Sequence, residues 1–152
     1  MILSIALLLT VLLTILAFRT KSLHKIEVIV LIVFISNIVN NVYSMWGLNL
    51  NHIKTSDRME EFISFVLVSA AMMPALITCM LGIILSIRTL VWKYLFIIIS
   101  PFLLILIEYL ADVVGLIEHY QMSIWDSLIV WTSVLLIAYI FRSFFYSLLK
   151  GV

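Results

Sequence analysis

An all-α integral membrane bundle of five transmembrane helices is the fold class this sequence predicts, and three observations predict it. Hydrophobic residues make up 65% of the 152-residue chain, charged residues only 11%, and mean hydropathy is +1.28, a balance outside that of ordinary soluble domains. The apolar residues fall into five runs, each near the roughly 20 residues that a helix needs to cross a hydrocarbon core about 30 Å thick. Four polar clusters divide the runs: RTKSLHK, GLNLNHIKTSDRMEE, RTLVWK and GLIEHYQMS. No internal repeat or soluble domain interrupts them, so residues 1–152 read as a single transmembrane domain.

The first predicted span covers residues 2–18. It has the length of a signal peptide but lacks a positive n-region and a small-x-small cleavage site, so it is read as a retained span. Its charges, Arg19, Lys21 and Lys25, follow it. The second span, residues 27–46, contains FISNIVNNVYSMW, in which Asn37, Asn40, Asn41 and Ser44 recur at i, i+3, i+4 and i+7. That spacing is one polar stripe on a helix.

The third span, residues 62–87, places Ala71, Ala75, Cys79, Gly82 and Ser86 on one face. Small residues at this spacing let helices approach closely, so the face reads as a packing seam, inside the bundle or between protomers. Pro74, near mid-span, is expected to kink it. Cys79 is the sole cysteine and reads as packing.

The fourth span, residues 94–113, carries Pro101, Glu108 and Asp112 in ISPFLLILIEYLAD. Pro101 is expected in the first turn, where proline is tolerated. Counting from Lys93 at about 1.5 Å per residue, Glu108 lies roughly 20 Å up the span, with Asp112 one turn higher at the interface. An ionisable group at membrane depth marks a functional candidate and faces a partner or cavity. Asn41, counted from Glu27, also lies about 20 Å up its span. The expectation is therefore that spans two and four are neighbours, with the Asn stripe facing the acids.

The fifth span covers residues 126–147, with Trp131 and Arg142 inside it or near its inner end, where the arginine can snorkel. Trp46, Trp92, Tyr94 and Trp125 fall at span ends and read as interfacial anchors.

Orientation follows from the basic residues, which are retained in cytoplasmic loops. With the N-terminus outside, Arg19, Lys21, Lys25, Arg88, Lys93, Arg142 and Lys150 fall inside, against Lys54 and Arg58 outside. This predicts N-terminus out, C-terminus in, and residence in the cell membrane as a multi-pass protein.

Net charge is +1, which gives no basic excess for nucleic acid; the partner implied is the lipid bilayer, with a membrane-protein partner or a homo-oligomer beside it. His52, Glu60, Glu61, Glu118 and His119 form no pattern with metal-ligand spacing, and no metal or cofactor is expected. No nucleophile elbow, phosphate loop or paired-histidine motif is present, so no enzymatic activity is expected.

Ser100 and Pro101, then Glu108 and Tyr109, then Trp125 opening a last span, with Pro74 in the preceding one, make the last 90 or so residues resemble a known group. It consists of small uncharacterised multi-pass membrane proteins of spore-forming Gram-positive bacteria. The resemblance implies fold and location but no activity. In some members the polar position in the second span is acidic, from which Asn40 or Asn41 departs. Two functions remain: a non-catalytic structural or interaction role, and, as the alternative, a small proton-coupled transporter or channel using Glu108.

Overall fold

The computed structural model describes residues 2–45, 53–55, 58–119 and 123–150. Five helices are long and apolar enough to cross a membrane: α1 (Ile2–Arg19), α2 (Lys25–Ser44), α3 (Met59–Ser86), α4 (Leu90–Val113) and α5 (Ile124–Lys150). Each extends slightly past one or both ends of its predicted span. Two three-residue strands, β1 (Ile53–Thr55) and β2 (Ile117–His119), pair antiparallel with Lys54 opposite Glu118. This ladder joins the α2–α3 and α4–α5 connections at the acidic end of the bundle, and nothing in the hydropathy pattern announced it.

Helices α2, α3, α4 and α5 stand at the corners of a ring. α3 packs on α2 and α4, and α5 packs on the same two, so α2 and α4 are diagonal. α1 lies outside the ring along α3. The third helix is therefore the most enclosed, with 72% of its apolar window buried against 17–28% for the other spans. Among the described residues, Leu31, Ile35, Met73, Ile77, Leu81, Leu104 and Trp131 are the largest fully buried apolar side chains. Because lipid tails are as apolar as these groups, close packing and hydrogen bonds hold such a bundle rather than exclusion from water.

Two backbone features shape the ring. Val68–Met72 forms a π turn, in which the Met73 N–H bonds the Val68 carbonyl. Pro74 follows, and its missing N–H leaves the Ala70 carbonyl to the hydroxyl of Ser36 on α2, which donates to it at 2.7 Å. The discontinuity that proline introduces thus becomes a bond between helices, in a medium where water cannot take its place. At the end of α4, Gly115 adopts φ +80, with the Leu116 N–H bonding the Ala111 carbonyl and the Gly115 N–H that of Asp112, both at 2.9 Å. This is the Schellman arrangement, and the left-handed residue is why glycine occupies it. Gly115 therefore ends α4.

Pro101 lies inside α4, not in its first turn. The helix begins at Leu90, because Thr89 with its extended backbone (ψ 124) caps it and the segment after Arg88 winds straight on. Lys93 lies on this first turn, which is why a hydropathy window starts the span late.

The small-residue face of α3 lies partly against α1. Gly82 has no room for a side chain, since a Cβ there would sit 2.9 Å from Thr20 Cγ2. Its carbonyl accepts from Ser22 Oγ at 2.6 Å and from Ser86 Oγ at 2.8 Å. The Cys79 thiol donates to the Leu13 carbonyl at 3.2 Å. Ala75 is fully buried, Ala71 half-buried and Ser86 exposed. The seam is thus intramolecular where Cys79 and Gly82 form it.

Candidate intramembrane polar site

Glu108 points into the ring, 4% exposed. Its Oε2 accepts the indole N–H of Trp131 on α5 at 3.0 Å, and Trp131 is itself 1% exposed. Tyr43 of α2 joins this cluster. Its ring meets Trp131 edge-on at 6.2 Å and Phe65 of α3 at 5.3 Å. Each of the four ring helices thus contributes a side chain to the cluster that Glu108 and Trp131 anchor. Asp112, one turn beyond, is half-buried in the last turn of α4.

The Asn stripe does not face these acids. Asn37 and Asn41 lie on the exposed side of α2, donating their amide N–H groups to the carbonyls of Val33 (2.9 Å) and Asn37 (2.8 Å) of their own helix. Asn40 is half-buried, with Nδ2 3.4 Å from the Ser36 hydroxyl, and Ser44 is exposed. The reason is the diagonal placement of α2 and α4. α2 must turn Val28, Leu31, Ile35 and Val39 toward α3 and α5, and a helix cannot present that face and the residues between its members to the same neighbours. The azimuth that brings Tyr43 inward carries Asn41 outward.

A second buried acid, at the basic end, escaped the sequence reading. Glu27 is 1% exposed, and its Oε1 lies 3.2 Å from Arg142 Nε on α5, whose side chain is 12% exposed. The angles at this separation fall outside hydrogen-bonding limits, so the attraction is one of charge. Oε2 accepts the His24 backbone N–H at 2.7 Å, closing the first turn of α2. The Arg142 guanidinium also lies over the Tyr146 ring at 4.4 Å, a cation–π contact. Phe34 and Phe141 stack beside it at 3.7 Å. Arg142 is therefore paired within the bundle instead of snorkelling to the interface. The signal was available, since Glu27 and Arg142 both count to the basic end; the same depth count places Trp131, about 10 Å below Ile124, almost level with Glu108, about 8 Å below Val113.

Between α3, α4 and α5 a groove of about 430 Å³ opens, lined by Leu81, Lys93, Tyr94, Ser100, Pro101 and Thr132 among others. It ends at Pro101. On α4 the next inward residues, the fully buried Leu104 and then Glu108, do not line it. Among the described residues, no group of three or more His, Cys, Asp or Glu is placed to hold a metal ion. Of the five His and Glu residues whose spacing in the sequence fits no metal site, His52 lies outside the described residues, and so do the side chains of Glu118 and His119. Trp46, expected as an anchor, also lies outside them, whereas Trp92, Tyr94 and Trp125 are exposed.

Compared with known proteins, the chain matches no family model, no curated protein and no solved structure.

Proposed function

We propose that this protein is a non-catalytic structural or interaction component of the cell membrane, with its N-terminus outside and its C-terminus in the cytoplasm. The observation that carries the reading is that, among the described residues, both buried carboxylates have partners on one helix. Trp131 holds Glu108 and Arg142 pairs with Glu27, the first at the acidic end of α5 and the second at the basic end. Polar groups so placed tie helices together, and α5 becomes the strut that fastens α2 and α4. The excess of basic residues at one end supports the orientation. The resemblance of the Ser100, Pro101, Glu108, Tyr109 and Trp125 pattern to membrane proteins of spore-forming bacteria supports the location.

The protein reconstituted into liposomes with an interior pH dye tests this directly. The expected result is no proton flux beyond that of empty vesicles. Flux that Glu108→Gln abolishes would overturn the reading in favour of proton-coupled transport. Reporter fusions at both termini should place them on opposite sides of the membrane; two ends on one side would overturn the orientation.

A further inference from the structure

The Asn face of α2, having turned away from Glu108, is left where an amide has fewest partners. The exposed residues of this helix include Ile26, Ile29, Val33, Asn37, Asn41 and Ser44, separated by three or four positions and so forming one continuous ridge. Asn37 stands twelve residues beyond Lys25, about 18 Å along the helix, within a hydrocarbon core about 30 Å thick. Each of Asn37 and Asn41 spends one N–H on its own backbone. An amide has a second N–H and an acceptor oxygen, and lipid tails can satisfy neither.

We infer that a second copy of this chain docks on this ridge, pairing α2 with α2 in parallel about a two-fold axis normal to the membrane. Two copies inserted with the same orientation carry identical residues at identical depths, so Asn37 meets Asn37 and Asn41 meets Asn41. Such self-pairing requires a group that is both donor and acceptor, which an amide is and a carboxylate or ammonium is not. An isologous interface is in addition the commonest way for a chain to associate with itself. Below the amides the ridge continues as Ile26, Ile29 and Val33, 50–58% exposed. These β-branched side chains have little rotamer freedom to lose on packing. The opposite face of α2 is already committed, with Val28, Leu31, Ile35 and Val39 at most 1% exposed, so docking requires no rearrangement of the ring. The inference rests on the interaction reading above and names its partner.

Cysteine cross-linking in native membranes tests it. In a Cys79→Ser background, Val33→Cys, Asn37→Cys and Asn41→Cys are oxidised separately, with Leu8→Cys on α1 and Ile98→Cys on α4 as equally exposed controls. The expected result is disulfide dimer from the α2 positions and little from the controls. Equal cross-linking at the controls, or none on α2, overturns the inference. Asn37→Leu with Asn41→Leu, which alters only the exposed face, should weaken dimerisation of the purified protein in mild detergent by on the order of tenfold or more. An unchanged dimer, or a monomeric wild type, overturns it too. A wild type that is monomeric yet co-purifies with a different membrane protein removes the second copy and leaves the interaction reading standing. The cross-linking reads the α2 ridge alone, so proton flux through Glu108 would sink that reading without touching this result.

Discussion

Breaking the Glu27 and Arg142 pair should be the most damaging single change to a charged residue in this protein. At 3.2 Å, two unit charges attract by about 5 kcal/mol at an effective dielectric constant of about 20. Much of this is offset by the cost of desolvating both groups, so the pair adds little net stability compared with apolar residues of the same shape. Removing one partner is different, because it leaves the other buried and uncompensated. Glu27→Gln retains an acceptor for the His24 backbone N–H and deletes only the charge, leaving Arg142 with 12% exposure. The expected loss is about 3 kcal/mol, the low end of the range for buried pairs, because the Tyr146 ring still faces the guanidinium. That corresponds to more than a hundredfold in the folded-to-unfolded ratio. Arg142→Met should cost a similar amount by stranding Glu27. The double variant should lose much less than the sum, giving a coupling of about 2 kcal/mol. Unfolding by SDS in mixed micelles, followed by the fluorescence of the four tryptophans, measures all four corners of the cycle. A coupling below about 0.5 kcal/mol, or single variants as stable as wild type, would refute the buried-charge argument.

Other substitutions probe the remaining ties by the same unfolding assay. Trp131→Phe keeps the ring packing but removes the N–H that Glu108 accepts, and should cost about 1–3 kcal/mol; Glu108→Gln, which can still accept it, should cost less. Gly82→Ala should cost about 1–3 kcal/mol by overpacking the α1 seam, with partial recovery when Thr20→Gly removes the side chain 2.9 Å from the new Cβ. Gly115→Ala should cost about 1–2 kcal/mol from its left-handed backbone alone, since nothing lies within 4 Å of a Cβ at that position. A neutral Gly115→Ala would show that the end of α4 relaxes freely.

The elements that could be read from the sequence are those set by local chemistry. Five helices follow from hydropathy and length, and the end of α4 is marked by Gly115. The close approach at Gly82 follows from a side chain that is absent, and the break near Pro74 from a missing N–H. Glu108 could be singled out, and given a depth, because a carboxylate in hydrocarbon is unusual whatever surrounds it. Its partners could not be chosen the same way. Asn41 and Trp131 are both nearly level with it, and depth alone does not separate an amide on α2 from an indole on α5. The buried role of Arg142 was hidden for the related reason that an arginine near a helix end has a cheap alternative in the interface.

By itself, then, the sequence determined how many helices are long and apolar enough to cross, roughly how long they are, and how far along its helix each polar group lies, because rise per residue and transfer to lipid are properties of the chain one segment at a time. Only the tertiary structure decided which faces meet. The ring places α2 and α4 on a diagonal, so Tyr43 turns in, Asn37 and Asn41 turn out, and α5 supplies a partner for both Glu27 and Glu108. Azimuth about a helix axis is set by packing against neighbours, and the identity of the neighbours is not a local property of any helix.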